Sequence, residues 1–102
     1  MDALRAIAEP RRQEILRLLA HGEMPAGQIA EHFDVSRPAI SQHLQVLREA
    51  GLVSERKLGR QRLYEVRPEA LEQLRQFIGE FWDDALGRLS RAAEAEQRRR
   101  GG

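Results

Sequence analysis

Arg37, Ser41, Gln42, Gln45 and Arg48 fall on one side of any helix drawn from Ser36 to Gly51, together with Pro38 and Glu49. The chemistry of that face is hydrogen bonding without bond making. Glutamine amides can pair bidentately with adenine, and arginine can pair with guanine or with phosphate, which are the contacts that read base edges in a major groove. The opposite face is apolar. Ile40, Leu44 and Leu47 repeat at i, i+4 and i+7, flanked by Ala39, His43, Val46 and Ala50. The helix has its own punctuation: Ser36 suits the N-cap, Pro38 the first turn, and Gly51 a left-handed C-terminal cap. The stretch reads as a DNA recognition helix. An ordinary amphipathic surface helix would share the division of faces, so the neighbouring elements must decide.

Other chemistries find little support. The chain has no cysteine, which removes disulfides, thiolate metal sites and thiol nucleophiles. Its three histidines, His21, His32 and His43, lie on different helices and beside no recurring Asp/Ser pattern. His43 reads as packing at the edge of the apolar stripe. Glu80, Asp83 and Asp84 share a helix face, but three carboxylates without imidazole make a poor transition-metal site. An enzyme is not expected, nor is a bound metal or cofactor.

With 102 residues and few aromatics, the chain is long enough for one domain with a small core of Leu, Ile, Val and Ala. It lacks an N-terminal apolar leader or a spanning run, and a cytoplasmic location is expected. The net charge is only +1, but the charge is unevenly spread. From Ser36 to Arg67, Arg37, Arg48, Arg56, Lys57, Arg60, Arg62 and Arg67 outnumber Glu49, Glu55 and Glu65. From Pro68 to Glu96 acidic residues dominate instead. One surface could therefore face phosphate while another does not.

In chain order, Asp2 to Ala8 forms a short helix. A second follows from Pro10 to about Ala20, with Ile15, Leu18 and Leu19 as its stripe and Leu16 beside it. Pro25 fits the first turn of a third helix carrying Ile29, Ala30 and Phe33, and Asp34-Val35 turns into the fourth. This is the spacing of a helix-turn-helix, about 25–50. About 52–66 reads as a β-hairpin turning near Gly59, with Arg56, Lys57, Arg60 and Arg62 at its tip and flanks; a basic hairpin after a recognition helix is a wing. The last helix, about 68–96, spans roughly 40 Å, too long for its apolar face to be covered by so small a body. A second copy is the natural partner. The expected dimer interface is Leu4, Ile7, Leu71, Leu74, Ile78, Phe81, Trp82, Ala85 and Leu89, and residues 97–102 are expected to be a disordered tail. The fold class is thus mainly α with a small β-hairpin, in the order α-α-α-α-β-β-α.

This order resembles the arsenic-repressor (ArsR) family of winged helix-turn-helix regulators. The likeness rests on the runs Ala8 to Leu19, Val35 to Leu44, Leu47 to Val53 and Gly59 to Val66. It implies a homodimeric repressor that binds a palindromic double-stranded operator and is released by a small-molecule or protein effector. Carried over, Ser36, Arg37, Pro38, Ser41, Gln42 and Gln45 would face the groove, while Arg56, Lys57, Arg60 and Arg62 would lie along flanking phosphates or the minor groove. The cysteine metal-sensing motif of the helix before the recognition helix is missing here: Gly27 to His32 contains no thiol. The His and carboxylate pairs that other members use on the last helix are missing too, since no histidine follows His43. The alternatives are a dimeric winged-helix module that meets protein instead of DNA, and a metal-responsive repressor using carboxylate and His ligands. The first would favour exposed aromatics or leucines on the face that carries Arg37, Ser41, Gln42 and Gln45.

Overall fold

The computed structural model describes residues 2–101. Helix boundaries follow from side chains that satisfy the free backbone groups at helix ends. Asp2 caps α1 (Ala3–Ala8) by accepting the Arg5 N–H at 2.9 Å. Glu9 is extended, ends α1, and caps α2 (Pro10–Leu19) by accepting the Arg12 N–H at 2.9 Å. The carbonyls left free at the end of α1 are taken from α2. Arg12 donates to the Ala6 and Arg5 carbonyls, and Gln13 Nε2 donates to the Ile7 carbonyl at 2.8 Å. Helix α2 buries Ile15, Leu16 and Leu19, with Leu18 only half-buried, so Leu16 takes the place expected of Leu18.

Met24–Pro25 form a strand, β1, that the sequence pattern does not announce. Pro25 is extended (φ −68°, ψ 150°) and precedes α3 (Ala26–Glu31) instead of entering its first turn. An edge strand tolerates the missing N–H of proline. Helix α3 is shorter than expected and leaves Phe33 in the connection, where the Arg11 guanidinium sits 5.3 Å from the ring centroid.

Helix α4 (Arg37–Glu49) starts and stops where its sequence indicates. The Ser36 hydroxyl accepts the Ala39 N–H at 3.3 Å. At the far end Gly51 adopts φ +78°; its N–H reaches the Arg48 carbonyl at 3.0 Å, and the Leu52 N–H reaches the Leu47 carbonyl at 2.9 Å. That pair of bonds is a Schellman cap, sealed by the full burial of both Leu47 and Leu52.

Strands β2 (Val53–Leu58) and β3 (Gln61–Val66) are joined at Gly59-Arg60, with Gly59 at φ +63°. They pair antiparallel, Glu55 opposite Tyr64 and Lys57 opposite Arg62. Strand β1 adds to the other edge of β3, giving a three-stranded sheet in the order β1-β3-β2 where a two-stranded hairpin was expected. The architecture remains mainly helical with a small antiparallel sheet and a long last helix.

The chain divides into two units, one ending at Leu71 and the other beginning at Glu72. The core of the first unit is Ala6, Ile15, Leu16, Leu19, Ile29, Ile40, Leu44, Leu47, Leu52, Val53 and Leu63, with Phe33 and Val35 half-buried. The last helix, α5 (Pro68–Gly101), has 34 residues and is about 50 Å long at about 1.5 Å per residue. It continues through 97–101 and does not fray near Glu96. Ion pairs of Glu96 with Arg99 and Arg100 span this stretch, and Arg98, Arg99 and Arg100 oppose the negative end of the helix dipole. No described helix is long and apolar enough to cross a membrane.

Candidate nucleic-acid interface

The two faces of α4 separate fully. Ile40, Leu44 and Leu47 have no exposed surface; Ala39, His43, Val46 and Ala50 are half-buried; Arg37, Pro38, Ser41, Gln42, Gln45, Arg48 and Glu49 are exposed. Ser36 is exposed beside them at the N-cap. His43 borders the core, with Nδ1 3.4 Å from Arg12 Nη1 and 3.9 Å from Glu9 Oε2, so it belongs to the packing of α4 on α2.

The exposed face runs into the sheet through two clefts. The larger, about 700 Å³, opens between the start of α3, α4 and β3, and its wall includes Gln28, Arg37, Ser41, Arg60, Arg62 and Tyr64. Arg37 lies over Gly27, where a Cβ would stand 3.5 Å from its guanidinium. The smaller, about 230 Å³, is bounded by Ser41, Gln45, Arg48, Glu55, Arg62 and Tyr64. Ser41, Gln45 and Arg48 step by i, i+4 and i+7 toward the wing, and Gln45 Nε2 donates to Glu49 at 3.2 Å.

The wing itself has two different sides. Side chains alternate along a strand, so the cross-strand rows set Glu55, Lys57, Arg62 and Tyr64 on one face and Arg56, Gln61 and Leu63 on the other. On the first face, Glu55 Oε1 accepts from Arg62 Nη1 at 3.0 Å and forms an ion pair with Arg48, whose Nη1 is 2.6 Å away. Its carboxyl is held below the ordinary range by the Tyr64 hydroxyl, with Arg48 and Arg62 adding to the effect against the cost of burial. Burial, followed by the Glu55 charge, pushes the Tyr64 hydroxyl up. On the second face, Arg56 makes a forked pair with Glu23, its Nε 3.1 Å from Oε2. The hydrogen bonds and charge of Arg56 hold Glu23 low.

The four basic wing residues grouped by the sequence are thus divided. Arg62 and Lys57 share the face that carries Glu55, Arg60 sits at the turn, and Arg56 is turned to the other face and engaged by Glu23. Among the described residues Arg37, Lys57 and Arg60 make no ion pair. Two members of the cluster were not foreseen, Glu55 and Tyr64. Arg48 was placed on the exposed face by the sequence, where it continues the Ser41–Gln45 line, but was not counted among the residues facing DNA. Glu55 and Tyr64 join only through the register of the hairpin.

The family model for the bacterial regulatory protein arsR family matches residues 9–55. Across 94 residues the chain is 40% identical to the HTH-type transcriptional regulator Rv2034 of Mycobacterium tuberculosis, covering 92% of this chain and 88% of that protein. The chain belongs to the ArsR family. It is also 41% identical over 71 residues to the transcriptional repressor SdpR of Bacillus subtilis, covering 70% of this chain and 79% of that one. The crystal structure of a possible transcriptional regulator for arsenical resistance superposes with a TM-score of 0.79 at 50% identity, over 87% of this chain and 93% of the other. The homodimeric winged helix-turn-helix DNA-binding domain of Mb0332 from Mycobacterium bovis superposes with a TM-score of 0.64 at 32% identity, over 78% and 74%. The ArsR match begins at Glu9, the cap of α2, and ends at Glu55, so it takes in α4 and the shared carboxylate.

The remaining sequence-predicted residues lie on α1 and α5. Leu4, Ile78, Phe81, Trp82 and Leu89 are exposed, from 41% for Ile78 to 66% for Leu89. Ile7, Leu71 and Ala85 are half-buried, and Leu74 is already buried within the single chain. Phe77 and Leu86 join the exposed apolar set on α5.

Proposed function

We propose that this ArsR-family protein is a homodimeric, sequence-specific DNA-binding repressor that inserts α4 into the major groove. The observation that carries the reading is the exposed Arg37, Ser41, Gln42, Gln45 face, held on a fully buried Ile40, Leu44, Leu47 stripe and flanked by the Arg62 face of the wing. A face of amides, a hydroxyl and guanidiniums without exposed aromatics suits base edges better than a protein partner.

In this mechanism Gln42 and Gln45 read adenine, Arg37 reads guanine or holds phosphate, and the capped start of α4 with Ser36 and Pro38 approaches the backbone. Arg60, Lys57 and Arg62 take flanking phosphates, so affinity falls steeply with salt. Arg56 acts through the wing, which its Glu23 pair ties to the residue before β1. Binding alone is the activity; no bond-making step is part of it. The apolar face of α5, with Phe81, Trp82 and Leu89, is covered by the same face of a second copy, and Leu4 and Ile7 of α1 are further dimer-interface residues. The homodimeric relative from M. bovis and the B. subtilis repressor support these two parts of the reading. With no thiol in the chain, release from DNA does not run through a thiolate-bound metal, and a small-molecule or protein effector is the signal this reading allows for. The site of action is the cytoplasm, where bacterial DNA is accessible.

Selection of bound duplexes from a random pool tests this. An inverted repeat with half-sites about one helical turn, or a small multiple, apart is the expected product. Recovery of no common sequence would sink the reading.

A further inference from the structure

Glu55 stands where α4 and both strands of the wing meet, and it is an odd residue to find there. A carboxylate on a surface that meets phosphate raises the cost of binding. Its environment suggests what offsets that cost. The Glu55 side chain is only 18% exposed, while Arg48 and Arg62 are 44% and 63% exposed. Both guanidiniums converge on the same oxygen, Oε1, one from the last turn of α4 and one from β3. Tyr64 stands directly opposite Glu55 in the hairpin and lines the smaller cleft with it, and the other carboxylate oxygen, Oε2, is buried without a hydrogen-bond partner among the described residues. Ser41 and Gln45 of the exposed α4 face line the same small cleft.

Two consequences follow from ordinary electrostatics. The arginines are held at fixed positions between helix and wing, so the cost of ordering them is met before DNA arrives. One of their two positive charges is also neutralised, so the pair attracts phosphate at large less than two free arginines would. Pairs whose guanidinium side remains open to water are weak in general and can open when a better-placed partner is offered. A duplex that meets the arginines where they already lie gains, and one that requires them to swing out loses.

We propose that Glu55 is a positioning residue that sets DNA specificity, by holding Arg48 and Arg62 on one carboxylate and withholding them from sequence-blind contact with phosphate. This rests on the DNA-binding reading above, and it concerns discrimination rather than binding itself.

The experiment compares the full-length wild-type chain with Glu55→Gln on two probes: a duplex selected by the wild type from a random pool, and a shuffled duplex of the same composition. Glu55→Gln keeps the size and removes the charge. Affinity for the shuffled duplex should rise on the order of fivefold at 0.1 M salt, with the logarithmic salt slope steeper by about 0.9, the signature of one more phosphate contact. Affinity for the selected duplex should rise less or fall, so the ratio between probes shrinks. A merely structural role would lower binding to both probes and leave the slope unchanged, and that outcome overturns the proposal. The same substitution in an Arg48→Gln, Arg62→Gln background, where Glu55 is left without either arginine, separates the route: it should raise affinity for both probes alike by removing bare repulsion and leave their ratio unchanged, and a ratio that still shrinks would overturn the positioning role. A wild type that does not distinguish the two probes refutes DNA reading as such. A wild type and a Glu55→Gln variant that distinguish them equally well refute only the role of Glu55.

Discussion

Gln42 and Arg60 occupy opposite ends of the proposed contact, one on the reading face of α4 and one at the tip of the wing. Their loss should therefore look different. Gln42→Ala should relax preference at one base position by about 1–3 kcal/mol. Arg60→Ala should weaken every duplex to a similar degree and reduce the salt slope by about 0.9. Binding of both variants to a panel of single-base-substituted duplexes checks this, and equal losses on all sequences for both would reverse the assignment. Tyr64 offers a second residue-scale test, because it is the only tyrosine. Burial and then the Glu55 charge raise its hydroxyl above the ordinary 10.0, so the phenolate absorbance should appear at higher pH than for a free tyrosine. Glu55→Gln should bring that midpoint part of the way back. The sign for Glu55 is opposite. Its folded carboxyl is depressed below 4.5, so its stabilising effect is present above that value and is lost as pH falls through the lowered one. Thermal midpoints followed from neutral to acid pH should accordingly fall less steeply in Glu55→Gln than in the wild type.

Elements in this chain are fixed more by their ends than by their lengths. Gly51→Ala keeps open space around the new Cβ but forces an L-residue to φ +78° at the cap of α4, at a cost of about 1 kcal/mol. Ser36→Ala removes the hydroxyl that accepts the Ala39 N–H and should cost about 1 kcal/mol. For a domain of this size each should lower the thermal midpoint by roughly 4–8 °C, measurable by circular dichroism. These two ends were legible in the sequence because single residue types mark them, and the two faces of α4 were legible because a period of 3.6 is unambiguous over thirteen residues. Strand β1 was not legible: two residues, one of them Pro25, cannot display an alternation. The roles of Arg12 and Gln13 in satisfying the carbonyls of α1 were hidden as well, since polar residues in a helix look solvated until a neighbouring helix end is brought against them. The wing falls between these cases. Its strands and basic character were readable, but which arginine shares a face with which carboxylate depends on register, and only the pairing of Glu55 with Tyr64 separates Arg62 from Arg56.

At the scale of the whole molecule, α5 leaves Phe77, Phe81, Trp82, Leu86 and Leu89 exposed along one chain, more apolar surface than a helix alone in water favours. If a second copy covers it, Trp82, the only tryptophan, should shift its emission to longer wavelength when the protein is diluted to monomer. Phe81→Glu should place a charge in that contact, give a monomer by sedimentation, and weaken operator binding by about two orders of magnitude through loss of the second reading helix. The acidic excess of α5 from Pro68 to Glu96, before the three arginines of its last turn, and the basic character of the segment from Ser36 to Arg67 agree with that division of labour, one part meeting its own copy and the other meeting phosphate. The most direct test is the stoichiometry and affinity of the full-length protein on the selected duplex, beside the same duplex with one half-site scrambled. Two chains per intact duplex, with a steep loss of affinity when either half is scrambled, is the predicted result. One chain per duplex, bound as tightly to the scrambled half-site as to the intact one, would contradict the account.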